Sequence, residues 1–173
     1  MGCARRRRFC DTIREMLVYH ASNAVVEKPM LVESNRLLDF GPGFYTTTNR
    51  EQAVRFAASV VRKRGGKPFL NVYEFDESGF EECLLLRFDE PSERWLDYVA
   101  ENRAGRYAGI RHDLVYGPVA NDNVYATIGL YLRGFMSREA AIAELRIRKL
   151  YNQLVFCAPL AFRYLKFVSA EEL

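Results

Sequence analysis

Apolar residues in this chain fall into short strand-like bursts with helical stripes between them. Leu17 to Ala21 reads as a first strand, and the β-prone run Phe44 to Thr47 as a second. Between them, residues 23–39 mix polar and apolar positions around Pro29, the pattern of a loop with a short helix or turn. Ala53, Phe56, Ala57, Val60 and Val61 then recur at i, i+3, i+4, i+7 and i+8, one face of an amphipathic helix. Asn49 is placed to cap its start. Gly65-Gly66 ends it, after basic residues that suit a helix C-terminus.

Phe69 to Phe75 sets Leu70, Val72 and Glu74 against Phe69, Asn71, Tyr73 and Phe75, a third strand, and Cys83 to Phe88 is a short apolar fourth. Pro91 opens a helix that carries Trp95, Leu96 and Val99 to about Asn102. Asp113 to Tyr116 is strand-like and stops at Gly117-Pro118. Asn121-Asp122-Asn123 can cap a helix with Val124, Ile128, Tyr131 and Leu132 on one face, closed by Gly134. Ser137 caps another, through about Arg146, and Gln153 to Cys157 and Phe162 to Val168 are closing strands. About seven strands and three or four helices, with no regular βαβ alternation and no repeat, predict an α+β fold. Residues 1–14 read as a disordered or weakly helical basic extension, and 15–173 as a single domain without a dividing linker.

Composition narrows the class. A chain of 173 residues with 49% hydrophobic and 27% charged positions can bury a core without disulfides or metals, as soluble globular proteins do. Net charge is +3, yet Arg5 to Arg8 alone exceed that surplus and leave the remainder one unit negative. A large basic nucleic-acid footprint is therefore not indicated, and the arginine run reads as a solvated tail. Twelve Phe and ten Tyr suit an aromatic β core as well as a stacking pocket. Cys3, Cys10, Cys83 and Cys157 lack metal-like spacing and fit reduced thiols in a cytoplasmic protein. No stretch approaches the ~20 apolar residues of a membrane span. The basic N-terminus lacks the apolar run of a signal peptide, and Arg6 breaks the myristoylation pattern that Met1-Gly2 would begin.

Candidate chemistry is concentrated in a few places. The chain has two histidines, and His20 stands in the middle of the apolar strand Val18-Tyr19-His20-Ala21-Ser22. A buried imidazole needs a partner for each ring nitrogen, so His20 is either a satisfied core histidine or a hydrogen-bond donor to a ligand hydroxyl. Gly41-Pro42-Gly43 is either a tight turn or a place where the backbone approaches a ligand, and Tyr45 follows with a ring available for stacking. Gln153 can hold two hydroxyls through its amide but cannot act as a general base. Asp122 is either part of a cap or a carboxylate on a strand-end loop near a pocket. Arg36 and Asp39 are candidates to face phosphates or an acceptor. His112 beside Asp113 reads as a loop. No GxSxG, HExxH or paired-cysteine pattern occurs, and no metal site is predicted.

Taken in order, three segments resemble the ADP-ribosyltransferase superfamily, in the branch with a His-Tyr-Glu triad typified by poly(ADP-ribose) polymerases and diphtheria toxin. Val18-Tyr19-His20-Ala21-Ser22 resembles its first-strand motif, usually His-Gly-Ser. Gly41-Pro42-Gly43-Phe44-Tyr45 resembles its Gly-x-Gly-Ile-Tyr motif, and Phe56 falls where that branch places a second aromatic. Tyr151-Asn152-Gln153-Leu154-Val155-Phe156 resembles the final motif, with Gln153 where the catalytic Glu usually stands. Tyr164-Leu165-Lys166-Phe167 resembles the strand that ends such domains. The run Leu17 to Val168 also looks like a bacterial domain-of-unknown-function family placed in that superfamily, several members of which accompany toxin–antitoxin or effector genes.

The resemblance implies a split antiparallel β-sheet core with flanking helices, and NAD as co-substrate without a metal. It gives His20 a hydroxyl of the adenosine-side ribose and the Ala21 backbone the nicotinamide carboxamide. Tyr45 and Phe56 would stack on the nicotinamide, with Ser22, Gly43 and Phe44 completing the binding set. Gln153 would hold the nicotinamide-side ribose, with Asp122 as a substitute carboxylate. The activity implied is mono-ADP-ribosyl transfer to a protein or nucleic-acid acceptor in the cytoplasm, by a bacterial toxin or effector with an antitoxin protein as a further partner. Gln153 cannot offset an oxocarbenium charge or deprotonate an acceptor, which argues against chain elongation. It leaves two other readings: a catalytically silent NAD- or ADP-ribose-binding module, and an NAD glycohydrolase.

Overall fold

The structure is a computed structural model that describes residues 14–32, 37–118, 122–147 and 150–173, with Asp122 and Asn123 described in their backbone alone. Among these described residues seven strands form one sheet: β1 (Glu15–Ser22), β2 (Phe44–Thr47), β3 (Phe69–Asp76), β4 (Leu85–Arg87), β5 (Leu114–Pro118), β6 (Asn152–Phe156) and β7 (Leu165–Glu172). Their spatial order is β4-β5-β6-β2-β1-β3-β7. The fold is α+β, as the strand and helix pattern predicts. The sheet is mixed rather than antiparallel throughout, because β4 runs parallel to β5. The crossover between them is long enough to carry a helix, which parallel pairing requires.

Among the described residues five α-helices accompany the sheet: α1 (Arg50–Arg64), the single turn α2 (Gly79–Glu82), α3 (Glu93–Arg103), α4 (Asp122–Leu132) and α5 (Arg138–Ile147). The predicted boundaries of α1 hold because its cap chemistry is explicit. Asn49 Oδ1 accepts the Gln52 N–H at 2.7 Å, and Gly65 closes the helix at φ 71°. α3 begins later than Pro91 suggests, since Ser92 is the residue whose hydroxyl accepts the Trp95 N–H. Cys83 ends the turn α2 instead of opening a strand, so β4 is shorter than its apolar run. A 3-10 helix, Pro159–Tyr164, takes the first residues predicted for β7.

Both faces of the sheet are covered, and strand alternation assigns each side chain to one of them. Val18, Phe44, Tyr73, Phe75, Leu154 and Phe156 form one buried cluster, closed by Ala161 of the 3-10 helix. On the opposite face Val155 joins Phe40, Trp95, Leu96, Val99, Ile128 and Leu145, so α3, α4 and α5 cover that side. α1 packs on β1 through Ala53, Ala57 and Val60. Among the described residues, no helix is long and apolar enough to cross a membrane.

Candidate functional site

The sheet has a weak seam. β1 pairs with β3 along its whole length, from Glu15 opposite Asp76 to Ser22 opposite Phe69. β2 pairs with β6 along all of its own. Between β1 and β2, however, the ladder is reduced to Tyr19 opposite Thr47. Every residue taken from the first two motifs, apart from Phe56, lies along this seam or in the loop leading to it.

His20 fills the seam just past that last pair. Its Nδ1 lies 2.7 Å from the Tyr45 carbonyl oxygen, so the proton sits on Nδ1 and Nε2 is left as an acceptor. The ring packs on Phe44 at 4.4 Å between centroids, tilted by 34°. Burial lowers the imidazole pKa, against the smaller raising effect of the Tyr45 carbonyl and with a smaller lowering effect from Arg64. The neutral ring corrects one expectation. His20 would accept a hydrogen bond from a ligand hydroxyl through Nε2, because its one N–H is already committed.

Next to it, the turn after β1 is held from below by Asn71, a fully buried polar residue opposite His20. Asn71 Oδ1 accepts the Val26 N–H at 2.7 Å, and Nδ2 donates to the carbonyls of Ala24 and His20. Ser22 is buried and its hydroxyl accepts the Ala24 N–H. Ala21 lies past the Tyr19–Thr47 pair, on the stretch of β1 that β2 does not pair. Asn71 shapes this turn, and only its polarity within an alternating apolar strand signals it in the sequence.

Tyr45 and Gln153 face the other side of the sheet from His20 and Phe44. Tyr45 packs against the α3–α5 cluster. Its hydroxyl donates to the Gly41 carbonyl at 2.6 Å and accepts the Phe40 N–H at 3.1 Å. Burial raises its pKa strongly. Tyr19, Thr47 and Gln153 share one rung across β1, β2 and β6, and so one face. Thr47 donates to Gln52 Oε1 at 2.6 Å. Gln153 is 4% exposed, and its Nε2 has no hydrogen-bond partner among the described residues. A buried amide N–H that lacks an acceptor costs about 1–3 kcal/mol.

Several expected roles change. Gly41 and Gly43 make close approaches to the protein itself. A Cβ at Gly43 would lie 2.6 Å from Val155 Cγ1 on β6, and one at Gly41 would lie 2.7 Å from Asn102 Oδ1 on α3. Gly41 also sits at φ 77°. Asp39, a candidate to face phosphates or an acceptor, is buried in an ion pair with Arg103, Oδ1 to NH1 at 2.8 Å. Arg103 in turn lies over the Tyr125 ring at 4.1 Å. Phe56 is 58% exposed, although it falls on the stripe that packs Ala53 and Ala57. No ring pair joins it to Tyr45 among the described residues. Arg36 and Asn121, together with the side chain of Asp122, lie outside the described residues, as does the extension 1–13. Of the two described cysteines, Cys83 is buried with a raised pKa, and burial pushes the Cys157 thiol up to about 12. Neither is a reactive thiolate. A groove of about 510 Å³ lies away from this seam, against α3, and includes none of the motif residues.

The arrangement can therefore offer an acceptor nitrogen at His20, an unpaired donor at Gln153 and an exposed aromatic at Phe56. It contains no carboxylate among the described side chains of the seam. No curated protein and no solved structure matches the chain. A family model described as a protein of unknown function matches residues 16–167, and the chain therefore belongs to the DUF3990 family.

Proposed function

We propose that this chain is an NAD-dependent mono-ADP-ribosyltransferase whose site is the seam between β1 and β2, in an ADP-ribosyltransferase-like split sheet. The observation that carries this reading is the buried, unpartnered Nε2 of Gln153, one rung across from Tyr19 and Thr47. A ribose hydroxyl is an acceptor of the right kind for that donor. On the opposite face of the sheet, the tautomer fixed by the Tyr45 carbonyl leaves His20 Nε2 as an acceptor for a second ribose hydroxyl. The unpaired edge of β1 at Ala21 is open to a carboxamide, which carries both a donor and an acceptor. Phe56, exposed on α1, supplies an aromatic face.

The chemistry asks for orientation more than for acid or base. The nicotinamide–ribose bond breaks with its electrons going to nicotinamide, which leaves neutral, and a lone pair of the acceptor forms the new bond. Gln153 orients the ribose but cannot take the acceptor's proton, which passes to solvent. This favours single transfer over chain growth. A bacterial toxin or effector acting on a protein or nucleic-acid acceptor fits such a reaction. The test is to incubate the protein with labelled NAD and cell lysate. Label on a macromolecule, with nicotinamide released and both lost in His20→Ala, supports the proposal. Equal behaviour of parent and His20→Ala, with no label and no nicotinamide, overturns it.

Gln153 also favours a second reading, a module that binds NAD or ADP-ribose without turnover. Binding without nicotinamide release distinguishes it. Release of free ADP-ribose in the same assay identifies NAD hydrolysis instead.

A further inference from the structure

The last turn of α1 carries a positive charge that the packing does not neutralise. Arg62, Lys63 and Arg64 follow one another there, all exposed. One cation at a helix C-terminus complements the backbone carbonyls, and three in a row exceed that need. None of the three makes an ion pair or side-chain hydrogen bond among the described residues. The carboxylates that end β7 are already taken: Glu172 pairs with Lys67 at 2.7 Å and Glu171 with Arg50. Past the arginine run and Asp11, the chain holds as many carboxylates as cations, so the surplus at this turn is a local one.

The turn stands beside the open end of the seam. Asn23, one residue past β1, donates through Nδ2 to the Gly65 carbonyl at 3.2 Å, and Gly66 lies against the same side chain. The end of α1 is thereby tied to the turn that follows His20, Ala21 and Ser22. Burial lowers the His20 pKa and Arg64 lowers it a little further, so the charge of Arg64 is felt in the seam. On its outer side the turn is open: nothing lies within 4 Å of the place a Cβ on Gly65 would take.

Successive helical residues are rotated by about 100°, so the three side chains fan around the helix end and do not converge on one small anion. An occupant that meets all three must carry several negative charges along an extended backbone. Phosphodiesters do so, and each guanidinium fork matches two phosphate oxygens. A membrane surface asks for apolar side chains beside the cations, and the stretch Arg62 to Lys67 has none.

We infer that the end of α1 docks a nucleic-acid strand at the mouth of the seam, with backbone phosphates on Arg62, Lys63 and Arg64. The footprint is about three phosphates, which suits a chain without a large basic face. On the transferase reading this strand is the acceptor, and that role rests on the reading. Docking itself needs no NAD.

The experiment is fluorescence anisotropy of a labelled single-stranded DNA of about 12 nucleotides, titrated with the full chain at several salt concentrations without NAD. The parent is expected to bind, and more weakly as salt rises. Changing Arg62, Lys63 and Arg64 together to Gln should weaken binding about tenfold at low salt. It should also flatten the log–log salt dependence by about 2, as the loss of three phosphate contacts does. Arg14, Arg106 and Arg163 are exposed cations elsewhere, and their joint change to Gln removes the same charge. That control should keep an affinity close to the parent's. Circular dichroism melts check that both variants are folded. No binding by the parent, equal losses in the two triple variants, or parent-like binding of the α1 variant would overturn the inference. Competition by polyglutamate as strong as by unlabelled DNA would overturn the assignment to nucleic acid and give the turn to an acidic protein. With labelled NAD added, label on the DNA in the parent but not in the α1 variant supports the acceptor role. NAD consumed with no label on the DNA overturns that role. No consumption of NAD overturns the transferase reading and leaves the docking result as measured.

Discussion

Replacing His20 by Ala tests the seam as a structure before any ligand is considered. The imidazole donates to the Tyr45 carbonyl at 2.7 Å and packs on Phe44 at 4.4 Å. Losing the donor leaves a part-buried carbonyl unpaired, at about 1–3 kcal/mol. Losing the ring contact adds roughly 0.5–1.5 kcal/mol. Because the seam is only partly buried, the lower ends apply, and the expected loss is about 2 kcal/mol. For a chain of this length that corresponds to a fall in Tm of roughly 4–8 °C. His20→Asn, which keeps a side-chain N–H, should recover part of it.

The same variants carry a pH signature. Burial lowers the His20 pKa below its ordinary 6.5, so the unfolded chain takes up the proton first. The parent holds this part of its stability above about pH 6.5 and loses it as pH falls through the folded pKa. Both His20 variants should show a shallower loss of stability below pH 6.5 than the parent. Thermal melts between pH 5 and 8 read both effects. A His20→Ala melt within about 1 °C of the parent at pH 8, or an unchanged slope below pH 6.5, would refute the reasoning.

Three further outcomes are expected. Gly43→Ala drives a methyl into Val155 and the Phe156 carbonyl on β6, and urea denaturation should show a loss of about 1–3 kcal/mol. Asp39→Asn leaves Arg103 without its carboxylate beside the buried loop, and the same measurement should show a loss near 3 kcal/mol, the low end for a partly exposed pair. Tyr45→Phe removes the hydroxyl that accepts the Phe40 N–H, so hydrogen exchange at that amide should speed up while the β6 amides keep their protection.

Much of the fold was legible because its elements carry local signals. Asn49 and Gly65 bracket α1 by cap chemistry, and Phe44 to Thr47 is a strand from its residues alone. The parallel pairing of β4 with β5 was not legible, since partner choice depends on contacts distant in sequence. The 3-10 helix Pro159–Tyr164 hid within an aromatic run that reads as strand. In the seam, the prominence of His20 and Gln153 was readable from their place in apolar strands. The direction of the His20 hydrogen bond was not, because it depends on the Tyr45 carbonyl 25 residues away. Asp39 is a similar case: a carboxylate in a loop reads as exposed until tertiary packing supplies Arg103.

The most direct test of the proposed site is a calorimetric titration of NAD into the parent and into Phe56→Ala. Phe56 is exposed, so its truncation leaves the core intact. Aromatic stacking on a base-like ring is worth about 1–3 kcal/mol, and a tenfold change in Kd corresponds to about 1.4 kcal/mol. The parent is expected to bind NAD saturably, and the variant with an affinity roughly tenfold weaker. Absence of NAD binding to the parent, or an unchanged Kd in Phe56→Ala, would contradict the proposed site.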